Sequence, residues 1–78
     1  MNHTRPLRAI AADIRADWKK VYFGAEPYLA AMEQLNKITD NYGADSARSI
    51  VAYFLVNATT WKGATARQVK AELKAMAK

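Results

Sequence analysis

Apolar residues return along this chain at helical intervals. Leu7, Ile10, Ala11, Ile14 and Trp18 fall in one stripe at about 100° per residue, which predicts an amphipathic helix from near Arg5. Thr4 fits its N-cap and Pro6 its first turn, where a missing N–H costs nothing. Arg8, Arg15 and Lys19 lie on one flank of that stripe, with Arg5 at its edge; Asp13 and Asp17 lie on the other. Val21, Tyr22 and Phe23 are weak helix formers, so the helix should fail by Gly24. A second helix is predicted from Glu26 and Pro27, with Tyr28, Ala31, Met32, Leu35 and Ile38 as its apolar face. It should stop at the sequence Asp40-Asn41-Tyr42-Gly43, with Gly43 as a left-handed terminus.

A third helix follows, capped by Asp45 or Ser46. Ala47, Ile50, Val51, Phe54, Leu55 and Ala58 repeat at helical spacing, and Tyr53 and Val56 widen the face. No charge occurs from Ser49 to Ala58, the pattern of a central helix touched on several sides. A strand is the rival over Ser49 to Val56, given its β-branched and aromatic residues, but the repeat and its length favour helix. For the fourth helix, Thr65-Ala66-Arg67-Gln68 matches a capping box. Val69, Leu73 and Met76 form one face of it, and Arg67, Lys70, Lys74 and Lys78 the opposite one. The fold expected is all-α: a compact bundle of four short helices forming one domain over residues 1–78, with 1–4 a flexible lead-in. Trp18, Tyr28, Phe54 and Trp61 are its large core pieces.

At 78 residues the chain supports one small core rather than a core plus a deep enclosed cavity. Twelve Lys and Arg against seven Asp and Glu give a net charge of +5, concentrated toward both ends. If helices one and four lie side by side, Arg8, Arg15, Lys19, Arg67, Lys70 and Lys74 would merge into one patch for nucleic-acid phosphates or an acidic partner. The plain alternative is a solvated face. The +5 charge also argues against mimicry of DNA. Cysteine is absent, excluding disulfides and thiolate metal sites. No apolar run reaches the roughly 20 residues of a membrane span, and no signal-peptide core is evident, which points to a cytoplasmic protein.

Catalytic groupings are missing from the pattern. His3 is the sole histidine and lies in a segment expected to fray. Asp13 and Asp17 read as a solvated flank rather than a cation site, and Ser46 and Ser49 as cap and first-turn residues. The glycines, Gly24, Gly43 and Gly63, fall one per connection and form no phosphate loop. No enzyme, metal or cofactor is expected. Asp45 and Arg48 are spaced for a local ion pair, and Asn57 for a buried amide that bonds a neighbouring turn. Gly63, Thr65 and Val69 fit the turn, cap and packing positions of a helix-turn-helix, which would put Arg67, Gln68 and Lys70 near a recognition helix's leading end. Against this, Thr59 and Glu72 stand where Ala and an apolar residue are usual. Tyr22, Phe23 and Tyr42 sit beside glycine turns, either as core lids or as exposed anchors for a protein partner.

The strings Thr4-Arg5-Pro6-Leu7, Ile10-Ala11, Ile14-Arg15 and Asp17-Trp18-Lys19 resemble the opening of a group of small proteins encoded by bacteriophages and prophages. The resemblance continues through Tyr28-Leu29, Tyr42-Gly43, Asp45-Ser46-Ala47, Ser49-Ile50-Val51, Tyr53-Phe54-Leu55, Asn57-Ala58, Trp61-Lys62-Gly63 and Glu72-Leu73-Lys74, and so covers most of the chain. It implies a phage accessory protein in a bacterial host cytoplasm. Proteins of that style often bind and inhibit or redirect host machinery, as anti-CRISPR and other counter-defence proteins do. No catalytic residues come with it.

Two functions are therefore expected to compete. One is a non-enzymatic inhibitor or adaptor that binds a host or defence protein or nucleoprotein through Tyr22, Phe23 and Tyr42. The other is a small basic nucleic-acid-binding module with a helix-turn-helix-like C-terminal half. The small core leaves room for a homodimer.

Overall fold

The computed structural model describes residues 5–78. Thr4 as a cap, His3 and the lead-in over 1–4 lie outside the described residues. Four helices form where the apolar spacing places them: α1 (Leu7–Asp17), α2 (Glu26–Met32), α3 (Ala47–Val56) and α4 (Ala64–Met76). Between α2 and α3 the chain also makes a two-stranded antiparallel hairpin, β1 (Asn41–Tyr42) and β2 (Asp45–Ser46). The fold is thus mainly helical rather than purely α. Two-residue strands are too short to show an alternating pattern. Their signal is Gly43, whose φ of 62° suits the first central position of a tight hairpin turn. That same glycine was expected to terminate a helix.

Both α1 and α3 pack against α2 and α4. Leu7, Ile10, Ala11 and Ile14 from α1, Leu29 and Met32 from α2, Ile50, Val51 and Phe54 from α3, and Val69 and Leu73 from α4 close one core. Trp18 and Trp61 join it from just outside the helices, while Tyr28 only packs against its margin. The Cα radius of gyration is 11.3 Å, close to the roughly 11.5 Å expected of a folded chain this long.

α2 ends some six residues earlier than its apolar spacing suggests, and hydrogen bonding explains why. The backbone N–H groups of Leu7 and Arg8, orphaned at the start of α1, donate to the carbonyls of Asn36 (2.8 Å) and Leu35 (2.9 Å). A continuing α2 would need those carbonyls for itself. The Asp40 carboxylate then accepts from the backbone N–H groups of Asn36 and Lys37, closing a turn over 36–40. Leu35 still reaches the core from this non-helical segment.

α1 also stops early, at Asp17, with Trp18 turned into the core as its C-cap. The chain then turns through 22–25, where the N–H groups of Ala25 and Glu26 donate to the Tyr22 carbonyl. Ser46 caps α3 as expected, its Oγ accepting from the Ser49 N–H at 3.1 Å. The Thr65–Gln68 capping box does not form. Gly63 is the N-cap of α4, with φ 114° and ψ 179°, a region essentially closed to other residues. The helix therefore starts two residues before a Thr65 cap would allow, and Thr65 sits inside its first turn. The α3–α4 connection runs over 57–63, longer than the three or four residues of a helix-turn-helix.

Candidate interaction surfaces

Two arginines gather most of the carboxylates. Arg15 reaches from α1 to α2, donating to both oxygens of Glu26 (2.9 and 2.6 Å) and to Glu33 (3.1 and 3.2 Å). Arg5 donates to Glu72 of α4 (3.1 and 2.8 Å) and to Asp13. The clamps hold both guanidinium groups more firmly protonated than usual, through hydrogen bonds chiefly to Glu72 and to Glu26 respectively. Asp17 accepts from the Trp61 indole N–H at 2.8 Å. The acidic flank of α1 thus faces α4, and its basic flank faces α2.

That orientation dismantles the merged basic patch. Arg15 is spent on Glu26 and Glu33. Arg8 lines an open groove of about 560 Å³ with Lys37, Ile38 and the start of α1. Lys19 is exposed just beyond α1. Arg67, Lys70 and Lys74 remain together on α4. Lys70 donates to the Trp61 carbonyl at 2.6 Å, and its Nζ lies 5.9 Å from the Trp61 ring centroid. Burial lowers the Lys70 pKa, and the nearby Lys74 and Lys62 charges lower it further. Asp45 and Arg48 form no ion pair among the described residues, and both are exposed.

The clamps also predict how stability responds to acid. Hydrogen bonds from Arg15 hold the Glu26 carboxyl below its ordinary pKa, and backbone N–H groups of Lys37 and Asn36 do the same for Asp40. A carboxylate with a depressed folded pKa stabilises the fold fully above the unfolded value of about 4, and that contribution fades as pH falls through the folded value. Urea midpoints should hold level from pH 7 to about 5.5 and fall steadily below about 4.5. Glu26→Gln with Asp40→Asn should flatten that fall. An unchanged slope in the double variant would assign the acid response to other carboxylates.

The aromatic residues divide differently. Trp18, Phe54 and Trp61 are interior, whereas Tyr22 (43% exposed), Phe23 (81%) and Tyr42 (45%) are open to solvent. Tyr22 and Phe23 touch, with ring centroids 4.8 Å apart. Gly24 sits tightly between the Tyr22 ring and the Asn57 side chain: a Cβ there would come within 2.6 Å of Tyr22 and 2.9 Å of Asn57 Oδ1. This brings the 22–24 turn against the C-terminal end of α3. Tyr53 (54% exposed) and Val56 (72%) lie on that end, and Tyr53 meets Tyr28 at 5.5 Å. Tyr53 and Val56 were expected to widen the buried face of a central helix. Instead α3 buries one side only, and Ser49, Ala52, Tyr53 and Val56 form an uncharged outer side. Asn57 is half-buried and donates to the Tyr53 carbonyl of its own helix at 2.9 Å, rather than to a neighbouring turn. Tyr42 stands apart on the hairpin, which leads into the opposite end of α3.

Family models, curated proteins and solved structures yielded no match to the chain.

The surface therefore rests on its own geometry. It offers an uncharged aromatic area over Tyr22, Phe23, Tyr53 and Val56, and a basic stripe on α4. Among the described residues, no three His, Asp or Glu side chains converge as a metal site would require. Among the described residues, no helix is long and apolar enough to cross a membrane.

Proposed function

We propose that this chain is a non-enzymatic binding protein that docks on a partner protein through Tyr22, Phe23, Tyr53 and Val56. The observation carrying this reading is the exposed Tyr22–Phe23 pair on a turn that meets the C-terminal end of α3 at Asn57, where Tyr53 and Val56 are also exposed. Clustered exposed aromatics are the residues that dominate interface energies, and contiguous apolar surface on a small protein marks an interaction site. In the setting implied by the phage-protein resemblance, the partner is a bacterial host macromolecule such as a defence complex, and the effect of docking is to inhibit or redirect it. Tyr42, remote on the hairpin, belongs to the rim of such an interface or lies outside it.

The test is affinity capture from a bacterial lysate with nuclease present, followed by titration of the purified partner. Phe23→Ser with Val56→Ser changes two exposed side chains and should leave the fold intact. It is expected to weaken binding at least tenfold, a common cost for losing interface anchors. Undiminished binding by the double variant would remove the aromatic area from the function. Concentration-dependent dimerisation that the same variant abolishes would give the area to a second copy of the chain instead.

A further inference from the structure

The remaining charges carry a second, independent surface. Two arginines take four of the seven carboxylates, and the other ten Lys and Arg form no ion pair among the described residues. On α4 the distribution is one-sided. Arg67, Lys70 and Lys74 fall within an arc of about 60° around the helix axis, roughly opposite Glu72, the single acid of that segment, and Lys78 follows just past the end of the helix. Glu72 is turned toward α1 and bound by Arg5. Lys62 adds its charge beside Lys70. We propose that this outward face of α4 docks on the phosphate backbone of a nucleic-acid duplex.

Three features favour that partner. The stripe is linear, spanning about 10 Å from Arg67 to Lys74, the axial length of about three phosphates on one strand, with Lys78 beyond it. Beside it the exposed residues of α4 are Ala64, Ala71 and Ala75, with Gln68 next round the helix, and the alanines let the helix approach a duplex closely. They supply none of the large apolar anchors at the centre of a protein interface, so an acidic protein fits less well. A single strand fits less well too, because such sites stack bases on open aromatic rings. The aromatic ring beside the stripe, Trp61, is 2% exposed and stacked on Trp18. Lys70 spends one of its three N–H donors on the Trp61 carbonyl, which fixes its position and leaves two for phosphate oxygens.

The stripe shares no residue with the aromatic area, so the two readings fail separately. The test is fluorescence anisotropy of a dye-labelled, mixed-sequence DNA duplex at several salt concentrations. Four phosphate contacts give a log–log salt slope between about −3 and −4, or roughly 100-fold weaker binding from 50 to 200 mM salt. Arg67→Gln, Lys74→Gln and Lys78→Gln alter exposed side chains only. Together they should weaken binding at least tenfold and reduce the slope by about 3. A matched triple variant at Arg8, Lys37 and Arg48 loses the same net charge from other faces and should bind like the unaltered chain. Equal losses in both triples, no binding at 50 mM salt, tighter binding to a single strand, or preference for polyglutamate over DNA would each overturn the proposal.

Discussion

Phe54→Ala is expected to cost about 3–5 kcal/mol of folding stability, as cavity-forming aromatic truncations do. Phe54 is fully buried in the last turn of α3. Its ring meets Trp18 edge-on at 6.3 Å and Trp61 edge-on at 6.5 Å, so it bridges the end of α1 and the 57–63 connection. Neither indole can collapse into the gap freely: they stack on one another, and Trp61 is hydrogen-bonded to Asp17. The neighbouring Tyr53→Ala is the informative contrast. Tyr53 is more than half exposed, and its loss should cost under about 1 kcal/mol. Urea unfolding of both variants checks the pair. Losses of similar size would mean that α3 does not divide into a buried side and an open one, and would weaken the aromatic docking surface with it.

That division of α3 marks where sequence reasoning reaches its limit. The 3.6-residue spacing identifies which residues share a face, and it places Ala47, Ile50, Val51 and Phe54 correctly in the core. It does not say how much of the circumference neighbouring helices will cover. An uncharged helix such as Ser49 to Ala58 reads as buried on several sides, yet in so small a molecule only one side finds partners. The missed signal was the lack of other large apolar segments to cover Tyr53 and Val56. The same limit governs the charges. The two flanks of α1, basic and acidic, are legible from spacing, but which one meets α4 depends on topology. The structure turns Asp13 and Asp17 toward α4 and Arg15 toward Glu26 and Glu33, so the pooled basic face reduces to the α4 stripe. At α2, long-range hydrogen bonds from Leu7 and Arg8 override a local pattern that would have continued the helix. From sequence, Tyr22 and Phe23 beside a glycine turn read equally as core lids or as exposed anchors; the structure leaves both rings open to solvent. Their junction with α3 at Asn57 is a tertiary fact with no sequence signal.

Trp61→Ala should cost about 3–5 kcal/mol and should do so through a different set of contacts. Trp61 is buried although it lies in a connection rather than a helix. Its ring stacks on Trp18 at 5.7 Å with an 11° interplanar angle, and its indole N–H binds Asp17 across the molecule. Its carbonyl holds Lys70, so it also ties the connection to α4. Trp61→Phe retains much of the ring packing and gives up the bond to Asp17; it should cost about 1–2 kcal/mol, within reach of one hydrogen bond and a modest volume change. Asp17 is exposed, so water can replace the lost donor. The stack itself is measured by a double-mutant cycle of Trp18→Leu and Trp61→Leu, with an expected coupling of about 0.5–1.5 kcal/mol. Strict additivity would reduce the stack to two independently buried rings. Coupling would make the Trp18–Trp61 pair the joint that fixes α4 against α1. The direction in which Arg67, Lys70 and Lys74 point would then depend on two residues that never meet a partner.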